Sequence, residues 1–445
     1  MSYNQDTINT KHAAKQMGYL VLLKNNSHFR NLWFGQVVSD LGDWLNSIAI
    51  YSLVLELHGS GMAMATVMAA KLLPYVFISP FAGVALDCPN RRRVLIVTDI
   101  LRFFVVLCFL FIKKQTDLWL LYFLVILHVT LSGFFGPARS AIIPSLTERK
   151  DLITANALSG STWSAMLAIG AALGGLVVKW FGIQIAFILD ASTFLVSAFF
   201  ISKIPPGLEQ QAFERKKTTP IKDRGLTEAL SYITNHPKIS GLIFLKPGLA
   251  VVGGIMTLIP LFANKIFSDP ADVSNGIGLL YSCRGLGALV GPILVRRLFG
   301  ESEKILHHSI YLGFLIGGIF YIVFAKTNSL WLGGLCVALA HSCISVIWVY
   351  SSALIHLNAD NEYLGRIFSL EWTLLTLVMA ISNFGTGMAV DYLGMTISET
   401  ASLLGFFLVV PGILWFRFLL RVKAPQDDLH GKDPVDDPKG LTSSD

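Results

Sequence analysis

The sequence predicts an all-α membrane protein of about twelve spanning helices, and three observations carry that reading. The 445-residue chain is 53% hydrophobic with only 14% charged residues, against roughly 25% charged in soluble proteins. Its apolar residues recur in runs of about 20, the length that crosses a bilayer as a helix. Its Lys and Arg residues crowd one side of the membrane in that arrangement, the asymmetry that sets orientation.

In order, spans are expected at about 31–57, 62–86, 94–112, 118–137, 155–178, 183–203, 240–264, 275–297, 305–326, 329–354, 367–390 and 398–420. The first 30 residues are polar and basic, with Lys11, Lys15, Lys24 and Arg30 and no short apolar core before a cleavage site, so the first span is expected to be retained. Connections assigned outside hold only Lys113, Lys114, Lys179, Lys265 and Lys326. Those assigned inside hold Arg91 to Arg93, Arg139, Arg149, Lys150, the basic run Arg215 to Arg224, Lys238, Arg296, Arg297, Lys304 and Arg366. Both termini are therefore expected in the cytoplasm.

The connection at 204–239 divides the spans six and six. It begins Pro205-Pro206, carries Glu214-Arg215-Lys216-Lys217 and ends in an amphipathic stretch, Leu226 to Thr234, as expected of a tether on the inner membrane surface. The expected organisation is a cytoplasmic segment 1–30, a six-helix bundle 31–203, the loop 204–239, a second six-helix bundle 240–420 and a disordered tail 421–445 with Asp427, Asp428, Asp433, Asp436 and Asp437 among prolines. Gly83 with Arg91 to Arg93 after span 2 recurs as Gly291 with Arg296-Arg297 after span 8, an echo of duplication. Two such bundles with a site between them at the midplane are a transporter architecture. The five cysteines show no metal-like spacing and are expected as free thiols. The net charge of +6 is explained by its position beside the membrane, so no nucleic-acid partner is expected.

Residues 83–93, Gly83-Val84-Ala85-Leu86-Asp87-Cys88-Pro89-Asn90-Arg91-Arg92-Arg93, form a polar hinge between spans 2 and 3. This hinge resembles the G-x-x-x-D-R-x-G-R-R loop of the major facilitator superfamily at Gly83, Asp87, Arg91 and Arg92, and departs from it at Cys88 and Asn90. A second segment, Phe134-Phe135-Gly136-Pro137-Ala138-Arg139 through Pro144 and then Thr154 to Leu158, resembles the drug-exporter branch that contains the enterobactin exporter and the macrolide-efflux proteins. Phe29 to Trp33, Asp99-x-x-Arg102, Asp190-Ala191 and Gly365-Arg366 agree with that branch. The helix 5 motif of many exporters is matched only in part by Gly170-Ala171-Ala172-Leu173-Gly174-Gly175. The resemblance implies the major facilitator fold, a multi-pass protein of the bacterial inner membrane, monomeric, moving a small-molecule cargo by alternating access, with protons as the coupling ion and no cofactor.

Ionisable residues at bilayer depth are costly and pair or line a cavity. Asp40 and Asp43 share nearly one face of span 1 and are the proton-coupling candidates, with the alternative that they are structural partners of Lys71 in span 2. Asp99 and Arg102 are expected to satisfy each other or the 87–93 loop. Arg284 in span 8 has no acid on its own span; it is expected to pair with Asp190 or Asp40 across the bundles, or to bind an anionic or catecholate-like cargo. His128 and His341 fall at corresponding depths of the two halves, as packing residues or cavity groups. Lys246 is expected to snorkel toward the headgroups. Glu371 with Arg366 is expected to face Asp87 and Arg91 to Arg93, closing a cytoplasmic gate with Gly83. Trp44, Trp163, Trp348, Trp372, Tyr75 and Tyr350 are candidates for aromatic cargo contact or for packing.

The expected function is a secondary active exporter of a bulky organic molecule, siderophore or drug, by proton antiport. A lysophospholipid flippase or a facilitator is the alternative, and a non-transporting scaffold would not need charges at midplane. No G-x-x-x-x-G-K-[ST] loop and no H-E-x-x-H occurs, which argues against an ATP-driven pump and against an enzyme.

Overall fold

The computed structural model describes residues 18–86, 90–208, 226–300, 302–360 and 362–423. A short helix α1 (Tyr19–Asn25) precedes α2 (Ser27–Leu57), α3 (Gly61–Leu86), α4 (Arg91–Cys108), α5 (Leu118–Leu146), α6 (Leu152–Phe181) and α7 (Ile183–Ser202). The amphipathic stretch forms α8 (Leu226–Asn235), and the remaining helices are α9 (Pro237–Ile243), α10 (Leu245–Ala250), α11 (Ile255–Ile266), α12 (Pro270–Phe299), α13 (Glu303–Lys326), α14 (Leu330–Asn358), α15 (Leu364–Asp391) and α16 (Ile397–Lys423). Asp87 lies outside the described residues, as do the Glu214 to Lys217 run and the acidic tail.

Among the described residues eleven helical segments are long and apolar enough to cross a membrane. The helix α2 is long enough, but Gln36, Asp40, Asp43, Asn46 and Ser47 lower its hydropathy; with it the spans are twelve. Large apolar side chains such as Phe77, Phe104, Trp119, Phe199 and Ile293 are more than half exposed, a surface that requires hydrocarbon rather than water around it.

Two spans differ from expectation. Span 4 was expected to end at Pro137, yet α5 continues through Pro137 and Pro144 to Leu146, because a proline inside a membrane helix is tolerated when neighbours satisfy the freed carbonyl. Arg139 thus sits within the helix and not at its end. Span 7 is not one helix. It runs as α9 and α10, a 3-10 turn at Val251–Gly254, and α11. Pro247 lacks an amide donor, and Gly253 and Gly254 bring the turn against α15, where Ser382 Oγ donates to Val251 O at 2.5 Å and accepts from Gly254 N at 3.0 Å.

The halves meet along α6 with α12 and along α3 with α15. Small residues make this possible. A Cβ on Gly278 would sit 2.6 Å from Ala171 O and 2.8 Å from Gly175 Cα, and one on Gly285 would sit 2.6 Å from Ala168 N. Lys179 pairs with Asp272 at 2.8 Å, and Asp391 accepts from the amides of Gly61 at 2.9 Å and Met62 at 2.7 Å, capping α3 from the other half. These contacts lie from mid-helix to the end opposite Arg91 to Arg93 and Arg296-Arg297. That end is closed, and a space between the halves opens toward the basic end, where Trp163 on its wall is 49% exposed.

Replacing Gly278 by Leu forces α6 and α12 apart at the closed end. A cysteine at the buried position Ser274 is expected to react several-fold faster with a membrane-impermeant maleimide in the Gly278→Leu background than alone; equal rates would show that this contact does not hold the seal.

Candidate functional site

An ionisable side chain at mid-membrane costs roughly 3 kcal/mol on insertion scales, so a chain holding several must supply partners. In the first half Arg102 is that partner. It projects from α4 and is 1% exposed. Its guanidinium reaches Asp99 at 2.5 Å, Ser39 of α2 at 3.2 Å, Ser132 of α5 at 3.4 Å and Asp43 of α2 at 3.6 Å. Phe135 and Phe194 lie 4.5 and 4.2 Å from its carbon, a cation–π enclosure. Only a planar fork of five donors serves so many directions at once. Gly42 admits α7 closely, since a Cβ there would meet Thr193 and Asp190; the fully buried Asp190 therefore packs on the turn of α2 that carries Asp43.

Asp43 lines a central cavity of about 320 Å³ together with Trp44, Lys71, Tyr75, His128, Trp163, Tyr281 and Arg284. Its Oδ1 has no hydrogen-bond donor among the described residues and lies 3.5 Å from Nε2 of His128, which is equally without a partner. A single proton between these two atoms would complete a hydrogen bond. Asp40 is held differently, 3.7 Å from Arg139 of α5 and accepting from Gln36 at 3.1 Å.

On the opposite wall Arg284 of α12 donates from Nε to Nε2 of His341 at 2.8 Å. A guanidinium has no acceptor, so the ring hydrogen of His341 sits on Nδ1, which faces the hydroxyl of Tyr321 at 3.0 Å. Lys71 donates to Ser47 Oγ at 2.5 Å and lies 3.4 Å from the Tyr51 hydroxyl. Tyr51 and Tyr281 stack across the halves with centroids 5.5 Å apart. Deeper in the second half Lys246 and Glu371, 5% and 2% exposed, pair at 2.6 Å beside the rings of Trp348 and Phe368.

Asp43, Lys71, His128 and Arg284 thus share one cavity, and His341 stands behind Arg284. Several expected pairings differ. Lys71 forms an ion pair with neither Asp40 nor Asp43; the hydroxyls of Ser47 and Tyr51 take it, while Arg139 and Arg102 take the aspartates. Arg284 pairs with neither Asp190 nor Asp40, because Asp190 is enclosed beside Gly42. Lys246 does not snorkel but is buried on Glu371; the expected gate of Glu371 and Arg366 includes Asp87, which lies outside the described residues. Arg91 donates to Ala141 O at 2.8 Å and Arg92 to Ser202 O at 2.7 Å, tying the start of α4 to α5 and α7. Gly83 belongs to the last turns of α3, and Arg366 to the first turn of α15. Sequence reading missed Arg102 as a hub and Tyr321 as a partner; the Asp99-x-x-Arg102 pair was the available signal for the first.

Removing one member of a buried ion pair leaves an uncompensated charge at a cost of about 3–5 kcal/mol, whereas removing both costs far less. Lys246→Met alone is expected to lower the Tm of the purified protein by several degrees, and Lys246→Met with Glu371→Gln to recover most of that loss. Additive losses in the double variant would show that the two side chains do not act as a pair.

Residues 32–383 match the family model of the Major Facilitator Superfamily. Among curated proteins the chain is 28% identical over 412 residues to a putative bacilysin exporter, BacE, of Bacillus amyloliquefaciens, covering 88% of this chain and 93% of that protein. It is 22% identical over 383 residues to macrolide efflux protein A of Streptococcus pyogenes, covering 82% and 90%. Among solved structures, a bacterial homolog of the human lysosomal transporter Spinster, described as inward-facing and unoccupied, superposes with a TM-score of 0.65 at 13% identity, covering 89% of this chain and 98% of that one. With twelve spans, a central cavity and a family match over most of its length, this chain belongs to the Major Facilitator Superfamily of membrane transporters.

Proposed function

We propose that the protein is a proton-coupled exporter of a bulky organic small molecule, siderophore or drug, in the bacterial inner membrane. The observation that carries the proposal is the Asp43–His128 pair, two buried atoms 3.5 Å apart without other hydrogen-bond partners among the described residues, on the wall of the central cavity. Around it the carboxylates of Asp40, Asp43, Asp99 and Asp190 outnumber the cations paired with them, Arg102 and Arg139, so the cluster has room for a proton. We assign that proton to Asp43 and His128 rather than to Asp40, which Arg139 and Gln36 already engage. The efflux names of the relatives support the outward direction.

The excess of Lys and Arg supports a cytoplasmic basic end and, with it, cytoplasmic termini. In that orientation the cavity opens inward, ready to load cargo, and rocking of the two six-helix halves would carry it outward. The protein acts as a monomer in this reading. A lysophospholipid flippase is a second reading, favoured by an apolar groove of about 530 Å³ between α3, α5 and α15 that includes Leu73, Phe77, Ile126 and Phe384.

The test is proton flux in inside-out vesicles holding the purified protein, presented with a catecholate siderophore, a macrolide, a lysophospholipid and a cationic dye. Cargo-dependent flux is expected with the siderophore or the macrolide, abolished by Asp43→Asn and retained in part by Asp40→Asn. Cargo movement without proton flux would favour a facilitator, movement of the lysophospholipid alone would favour the flippase, and flux untouched by Asp43→Asn would remove that residue from coupling.

A further inference from the structure

Lys71 and Arg284 differ from every other cation in the cavity region. Arg102 has Asp99 and Asp43, Arg139 has Asp40, and Lys246 has Glu371. None of the ion pairs among the described residues includes Lys71 or Arg284. Lys71 contacts the hydroxyls of Ser47 and Tyr51, and Arg284 contacts a histidine whose facing nitrogen is an acceptor. Both line the cavity. They come from opposite halves and stand at the two flanks of one stacked pair: Lys71 Nζ is 4.9 Å from the Tyr51 ring, Arg284 Cζ is 5.8 Å from the Tyr281 ring, and the two rings are 5.5 Å apart.

A cation at bilayer depth that has only neutral partners keeps most of its desolvation cost. Two of them facing one water-accessible space outnumber its single carboxylate, Asp43, which Arg102 already engages from behind, and leave the space net positive. We propose that Lys71 and Arg284 form a two-pronged site for an anionic group of the cargo, a carboxylate or a phosphate, held between the halves. The inference deepens the exporter reading by naming the cargo class: an organic anion rather than a cationic amphiphile. The guanidinium offers the planar fork that takes two oxygens at once, and Lys71 adds a point charge. Trp44, Tyr75 and Trp163 supply faces for an aromatic or apolar body. An anion bridging the two prongs would also bind best when Tyr51 and Tyr281 are in contact, so loading would favour the closed outer end seen here until a proton changes the balance.

The test is thermal stabilisation of the purified full-length protein by three matched probes, 2-naphthoate, 2-naphthyl phosphate and 2-naphthylmethylammonium, because a ligand that binds only the folded state raises the Tm. Both anions are expected to raise it and the ammonium to leave it unchanged. Lys71→Gln and Arg284→Gln are each expected to weaken anion binding about tenfold or more, while Lys71→Arg and Arg284→Lys, which keep the charge, retain most of it and control for misfolding. Stabilisation by the ammonium, no shift with either anion, or an anion shift in both Gln variants as large as that of the unsubstituted protein would overturn the assignment. None of these outcomes bears on proton coupling, which the vesicle flux reports, so the two readings fail separately.

Discussion

The first half of the protein is organised around one enclosed guanidinium. Arg102 is anchored on α4, yet it bonds to α2 through Ser39 and Asp43, to α5 through Ser132, and lies between rings from α5 and α7. A hydrophobic contact between membrane helices is weakly directional, because lipid tails are as apolar as the side chains they would replace. A buried charge is strongly directional, since each misplaced partner leaves an unmet donor. Helices α2, α4, α5 and α7 are therefore held in one rotation about their axes, and Asp43 of α2 and His128 of α5 are presented to the cavity as a consequence.

The second half is held by a different device. Lys246 and Glu371 tie the broken seventh span to α15, and Ser382 and Asn383 of α15 extend the same seam to the 3-10 turn and to Thr257 at 2.9 Å. Between the halves, polar bonds at Lys179–Asp272 and Asp391 stand toward the closed end, beside close backbone approach through Gly175, Gly278 and Gly285. Rigid halves joined by a smooth, small-residue interface can rock without breaking the networks inside either one. Such a division of labour suits alternating access, where the moving surface must part and re-form repeatedly.

The spans were legible because hydropathy and length report depth directly: α3, α7 and α13 begin and end within two residues of their expected bounds. Errors arose where the backbone path matters more than polarity. Pro137 reads as a stop, yet the helix passes through it, and Gly253-Gly254 reads as part of an apolar run although the chain is turned there by bonds to α15. The same distinction governs the site. Depth placed Asp43, Lys71 and His128 toward mid-membrane and Arg284 about a third of the way into its span, and the four line one cavity. Partner choice depends on which way each helix is rotated and on how far a long side chain reaches. Those are tertiary quantities, and the pairs Asp40 with Arg139 and Lys246 with Glu371 could not be chosen over their rivals without them.

The carboxylate of Asp391, seated on the amides that begin α3, links two events usually treated as separate. A helix start has unsatisfied donors that must be met by some acceptor. When α15 and α3 part, those donors and the freed carboxylate both require water at the same moment. In the proposed transport cycle, opening of this end would thus be coupled to its hydration, with solvent entering as part of the movement rather than filling a dry gap afterwards.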